Sequence, residues 1–219
     1  MDTAERRRSR ARTVVRVLRR TFPRAGCSLV HRNPWELLVA TILSAQCTDE
    51  RVNMVTPALF RRYPDAASTA RSRGADIERL IRSTGFFRAK ARSIRGSAKA
   101  VVERHGGRVP EGMEELVALP GVGRKTANVV RGTAFGLATG VVVDTHVARL
   151  SGRLGFTRER DPLKIERDLM EVVPRRNWIL FSHLLILHGR RTCRAARPDC
   201  PGCPVRFLCP SAGRAGRRP

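Results

Sequence analysis

The chain is 219 residues long, 42% hydrophobic and 28% charged, which suits a globular protein of one large or two small domains. Its 43 Lys and Arg against 19 Asp and Glu leave a net charge of +24; that surplus draws polyanions, so nucleic acid is the first partner to consider, with solvated cationic faces as the plainer alternative. No run of about 18 apolar residues is present to span a membrane, and the basic N-terminus has no apolar h-region of a secretory signal.

In chain order, residues 1–24 hold nine arginines against Asp2 and Glu5. Val14, Val17, Leu18 and Phe22 recur there at helical spacing, which predicts a basic helix with one buried stripe, ended by Pro23 and Gly26. A membrane-surface role for this arm stays open, although its apolar face is short. Asn33-Pro34 reads as an N-cap and first helical position for a helix reaching to about Gln46. Asp49 is expected to cap the next helix, which Pro57 should kink or split. A short helix is predicted over Ala75–Ile81 and a longer one over Arg88–Arg104, closed by His105-Gly106-Gly107. Short helices follow over Met113–Leu119 and Gly123–Gly136. Gly140–Val143 is strand-like but too short to found a sheet. Helices then run over Asp144–Leu154, Pro162–Val173 and Trp178–His188. The tail, Ser211–Pro219, is rich in Gly and Arg and expected to be disordered. The fold class is all-α, with about ten helices and no sheet.

Leu119-Pro120-Gly121-Val122-Gly123-Arg124-Lys125-Thr126-Ala127 carries the strongest signal. Two short helices joined by Pro-Gly-Val-Gly make a tight hairpin, with glycines that permit positive φ and leave backbone N–H groups uncovered. Those donors sit at a helix N-terminus, which suits a DNA phosphate without reading any base. This is the helix–hairpin–helix pattern, and Gly121, Val122, Gly123 and Arg124 are its expected DNA contacts. Lys125, in the first turn of the second helix, is either one more phosphate-binding cation or a nucleophile able to attack a sugar C1′ and form a Schiff base. The chain has 39 Arg and only 4 Lys, and Arg serves a phosphate equally well but cannot do imine chemistry. Asp144, in Val143-Asp144-Thr145-His146, is an N-cap on local grounds, and a cap can also stabilise a developing sugar cation or orient an attacking amine. His146 reads as a hydrogen-bonded core residue.

Six cysteines are present, four of them within seventeen residues. Cys193-x6-Cys200-x2-Cys203-x5-Cys209 has the density of a metal site rather than of a spread disulfide framework. Only Cys200 and Cys203 form the short-spaced pair usual for zinc, and Cys-Pro recurs three times; iron–sulfur ligation is favoured over zinc, which stays open. Arg194 and Arg197 make this a basic loop suited to DNA. Cys27 and Cys47 read as plain buried thiols.

Taken together, LPGVGRKTANVV, VDTHV and the four-cysteine terminus resemble the endonuclease III family of helix–hairpin–helix DNA glycosylases and AP lyases, from about Asn33 to Cys209. The resemblance implies a two-lobed all-α fold with DNA between the lobes. One lobe is a six-helix barrel (residues 27–137); the other is discontinuous (residues 1–26 and 138–219) and ends in a [4Fe-4S] cluster held by Cys193, Cys200, Cys203 and Cys209. It places the catalytic lysine at Lys125 and the catalytic aspartate at Asp144, with one more residue between them, around Leu137–Val141, than in the best-known member. The implied reaction is base excision of oxidised or ring-saturated pyrimidines from duplex DNA by base flipping and Lys Schiff-base formation, followed by nicking through β-elimination. Gln46, in Leu43-Ser44-Ala45-Gln46-Cys47-Thr48-Asp49, and Phe86, in Thr84-Gly85-Phe86-Phe87, match the positions that fill the vacated gap; Phe86 replaces a leucine of the best-known member. Asp49 matches a pocket-lining position. Val117 stands where that member has a pocket acid, so that contact is expected to be missing. The implied partner is duplex DNA containing damaged bases or abasic sites, met by a monomer in the bacterial cytoplasm. An adenine-mismatch glycosylase would lack the lysine, and a non-catalytic hairpin protein would bind DNA with a steep salt dependence and cut nothing.

Overall fold

The computed structural model of the chain describes residues 3–213. Met1, Asp2 and residues 214–219, most of the Gly/Arg tail, lie outside that range, while Ser211–Gly213 form a turn. Among the described residues every regular element is helical, and backbone pairing of extended segments is limited to one isolated bridge, Cys193 with Pro198. The expected all-α class is what the structure has, and Gly140–Val143 stays irregular.

The basic arm is α1 (Ala4–Thr21), capped by Thr3, and its buried stripe is Ala11, Val14, Val15 and Leu18. α2 (Pro34–Leu43) starts as expected, with Asn33 Oδ1 accepting from Glu36 N–H and proline in the first turn, but ends three residues short of Gln46. α3 (Asp49–Arg62) is capped by Thr48, not Asp49, because the Thr48 hydroxyl accepts from Arg51 N–H. Pro57 does not split it. The proline stands on the exposed side, while Val52, Thr56, Leu59 and Phe60 stay packed.

α4 (Ala66–Ala70) is a single turn that periodicity misses, made by a capping box between Asp65 and Ser68. α5 (Gly74–Ile81) runs into a 3-10 turn at Arg82–Thr84. α6 (Phe87–His105) ends where Gly106 turns left-handed, φ 57°. α7 (Met113–Val117) and α8 (Arg124–Phe135) form the hairpin, and α8 ends at left-handed Gly136. α9 (Thr145–Arg153), α10 (Pro162–Val172) and α11 (Trp178–Arg191) follow, α9 capped by Asp144 and α10 by Asp161.

The chain divides into two compact units. One is Cys27–Leu137, holding α2 to α8; the other is formed by the segments up to Gly26 and from Ala138 onward. Each has its own apolar core. In the first, α2 is buried on nearly all sides and Leu37, Leu38, Leu59, Ile77, Ile94 and Leu116 close round it. In the second, α1 lays its stripe against α10 and α11, around Leu18, Leu150, Phe156, Leu169, Phe181 and Leu185. Two separate cores account for why neither is overgrown in a chain of this length.

Candidate DNA-facing and cysteine sites

The hairpin is built from the inside out. Leu119 and Val122 are buried, and Val122 N–H donates to Leu119 O at 3.1 Å, closing the turn. Ser97 Oγ, on α6, donates to Pro120 O at 2.7 Å and ties the turn down. Gly121 has φ +78°, and a Cβ there would stand 2.6 Å from Ser93 Cβ of α6. No other residue fits. Gly123 differs: its φ is −92°, and a Cβ would meet nothing within 4 Å. It is the N-cap of α8 and supplies no side chain to cap it, so the first-turn N–H groups lack the usual intrahelical acceptor. Val122 is placed differently from its neighbours. Its side chain is a core anchor and its N–H is spent inside the turn, whereas Gly123, Arg124 and Lys125 are exposed around the uncapped end.

Two further loops of this unit carry an unusual backbone. Among the described residues the non-glycine positions with positive φ are Gln46 (51°) and Phe86 (47°). Both are exposed, Phe86 to 68%. A bulky residue in the left-handed region is strained and persists only where its surroundings fix it. Gln46 follows the C-terminal end of α2; Phe86 follows Gly85 (φ 69°) and starts α6, with no side-chain cap. Between the loops stands Lys90, 6% exposed, whose Nζ donates to Leu43 O and to Thr84 O, each at 2.8 Å. Burial pulls its ammonium below the usual lysine range. Sequence reading missed Lys90; the available signal was that it is one of only 4 Lys beside 39 Arg. Asp49, half-buried at the start of α3, accepts from Ser28 Oγ at 2.6 Å. Val117 is 43% exposed.

In the other unit, Asp144 Oδ1 accepts from Val147 N–H at 2.8 Å, so the cap is real and holds the carboxylate in place. His146 Nδ1 lies 3.2 Å from Arg149 Nη2. Arg149 also donates to Gly189 O and Cys193 O, at 3.3 and 3.0 Å. Arg153 reaches three groups of the same loop: Cys193 Sγ at 3.2 Å, Arg194 O at 2.9 Å and Ala195 O at 2.7 Å. These two arginines of α9 fix the backbone from which exposed Arg194 and Arg197 project.

Cys193, Cys200, Cys203 and Cys209 are all reduced and line one cavity, with Leu150, Leu154 and Val205 as its apolar wall. Burial raises the Cys203 and Cys209 thiols, and the neighbouring cysteines add to it. Four sulfurs sharing an apolar hollow are poor company as thiolates unless a cationic centre sits among them, so this donor set fits an iron–sulfur group. Among the described residues no three His, Cys, Asp or Glu side chains converge tightly enough for a single metal ion. Buried His188 places Nε2 3.5 Å from Cys203 Sγ, and burial holds its imidazole down to about 4. Cys27 and Cys47 are half-buried, and Cys27 is raised mainly by burial.

Known proteins resemble this chain over most of its length. Residues 39–175 match the HhH-GPD superfamily of base excision DNA repair proteins. Endonuclease III of Synechocystis is 56% identical over 94% of both chains, and that of Bacillus subtilis 48% identical over 86% of both. The chain belongs to the endonuclease III family. It is a base excision DNA glycosylase by that membership. Among solved structures, a trapped endonuclease III–DNA covalent intermediate superposes with a TM-score of 0.89 at 43% identity, covering 96% of this chain and 99% of that one. A thermostable thymine-DNA glycosylase shares the fold, with a TM-score of 0.83 at 24% identity.

Proposed function

We propose that the chain is a bifunctional glycosylase and AP lyase that removes oxidised or ring-saturated pyrimidines from duplex DNA and then nicks the strand. The observation that carries this reading is Lys125, exposed in the first turn of α8 beside the uncapped N–H groups. A phosphate held by Gly123 and Arg124 would anchor the strand while the neighbouring amine faces the sugar. Gln46 and Phe86 fill the space of the extruded nucleotide, and Asp49 lines the pocket that receives it. The Lys125 Nζ lone pair forms a bond to C1′ as the glycosidic C1′–N bond breaks, and the base departs with that electron pair and a proton. Opening of the sugar ring gives an imine, which makes a C2′ proton acidic. Its loss expels the 3′ oxygen with its phosphate, cutting the strand on that side. Asp144, fixed by the Val147 N–H, offers negative charge to the developing sugar cation.

Cys193, Cys200, Cys203 and Cys209 would hold a [4Fe-4S] cluster whose contribution is to keep the Arg194–Arg197 loop rigid. The duplex partner is met by a monomer. Borohydride added during reaction with a thymine-glycol duplex should trap a covalent protein–DNA adduct, and Lys125→Gln should remove it. An undiminished adduct in that variant overturns the assignment, and wild-type protein that binds the duplex without cutting it overturns the lyase reading.

A further inference from the structure

The buried amine of Lys90 is not used by the reaction just described, yet it is placed between the two strained loops that are. Leu43 O, at the C-terminal end of α2, is three residues before Gln46; Thr84 O, closing the 3-10 turn, is two residues before Phe86. We propose that Lys90 is a positioning residue that ties these two loops to one point and so sets the spacing at which Gln46 and Phe86 enter the same gap in a duplex. This rests on the gap-filling reading of those two residues.

The placement is otherwise unfavourable. Lys90 lies in the first turn of α6, where the helix dipole opposes a cation, and it is nearly out of water. Two carbonyl partners offset that cost, and the last carbonyls of a helix such as α2 are the ones left without an intrahelical donor. A tetrahedral ammonium on a slim stem can serve two acceptors on separate elements, while its third donor remains for a further group. A planar guanidinium, the default cation of this chain, is bulkier and splays its donors in one plane. Left-handed backbone at Gln46 and Phe86 persists only when neighbouring structure over-determines it, and one shared anchor meets that need for both. Thr84 is itself pinned, its Oγ1 donating to Ile81 O at 2.8 Å, so the anchor is not a swinging one.

Lys90→Met keeps the stem and deletes the donors. In the DNA-free protein, amide hydrogen exchange should rise about tenfold in both 43–48 and 82–88 while the hairpin at 119–124 is unchanged. Loosening of one loop only, or of neither, overturns the clamp. If Lys90→Met does not fold, Lys90→Gln replaces it; its amide is one bond too short to reach both carbonyls, and the same paired loosening is expected. On a lesion duplex, Lys90→Met should slow single-turnover excision about tenfold. Adding Gln46→Ala or Phe86→Ala to Lys90→Met should then cost less than about twofold more, although each costs more in the wild type, because coupled residues are not additive. Fully additive losses, the pattern of a residue that only supports the core, overturn the positioning role. Wild-type protein inactive on every lesion duplex would overturn the proposed function instead, and the exchange result would still decide the clamp.

Discussion

In the unit of α2 to α8, the parts expected to meet DNA are shaped by backbone angles: Gly121 at +78°, Gln46 at 51° and Phe86 at 47°, with side chains mostly serving to hold those angles. In the unit of α1 and α9 to α11, the corresponding loop is held by side chains, with Arg149 and Arg153 gripping its carbonyls and four cysteines closing round a cavity. The difference teaches how each can fail. The backbone-built hairpin turn is intolerant of a single added carbon at Gly121. A loop strung between arginines and thiols tolerates substitution of its exposed residues but answers to protonation and oxidation.

The sharpest break of that contrast is Gly121→Ala. Its Cβ would overlap Ser93 Cβ at 2.6 Å, on a rigid helix, with φ in the left-handed region; the expected loss is about 2–4 kcal/mol of stability and most of the DNA affinity. Thermal denaturation and a duplex-binding titration check both, and near-wild-type values would sink the backbone argument. Next is pH. The folded state holds His188 down to about 4, below its unfolded value of about 6.5, so the neutral ring is favoured by folding. Its contribution is complete above about 6.5 and lost as pH falls toward about 4. The chain has two tryptophans, Trp35 and Trp178, one in each unit. A Trp35→Phe variant followed by fluorescence should therefore show the Trp178 unit weakening between pH 7 and 4.5, and His188→Gln should flatten that profile.

Smaller is Arg153→Ala, which removes three hydrogen bonds to one loop. About 1–2 kcal/mol of local stability should go, seen as faster amide exchange over 193–197 with the hairpin unchanged. Smallest, and opposite in sign, is Phe86→Asn. Asparagine tolerates left-handed backbone better, so stability should rise by about 0.5–1 kcal/mol while excision slows. A variant that loses stability instead would show that Phe86 is not strained.

What the sequence disclosed was whatever depends on near neighbours. The Asn33 cap, the glycine stops at 106 and 136, the hairpin and the crowding of four cysteines are all local chemistry, and the structure has them. The errors were local too, but competitive. Thr48 and Asp49 are both good caps, and the hydroxyl won; α4 is a single turn, too short for periodicity to register; Pro57 faces water, where a missing donor costs little. Val122 stands beside its glycine neighbours in the motif, and that its side chain belongs to the core is not visible in the string. Lys90 stood out in the sequence only as a rare lysine, and its partners could not be read. Its acceptors are carbonyls 47 and 6 residues away, and a carbonyl carries no mark of residue type.

The order of the units along the chain has a consequence for synthesis. Cys27–Leu137 is a continuous stretch inserted into the other unit, and it has its own apolar core. On a ribosome every residue of that core has been made once residue 137 is added. α1 waits longer: Ala11, Val14, Val15 and Leu18 belong to a core that α10 and α11 complete, and those helices are made some 140 residues later. At about 5–20 residues per second that is a wait on the order of ten seconds with an apolar stripe bare. The arginines that crowd α1 supply a reason for the stripe to stay in solution meanwhile, since like charges on neighbouring nascent chains keep those stripes apart.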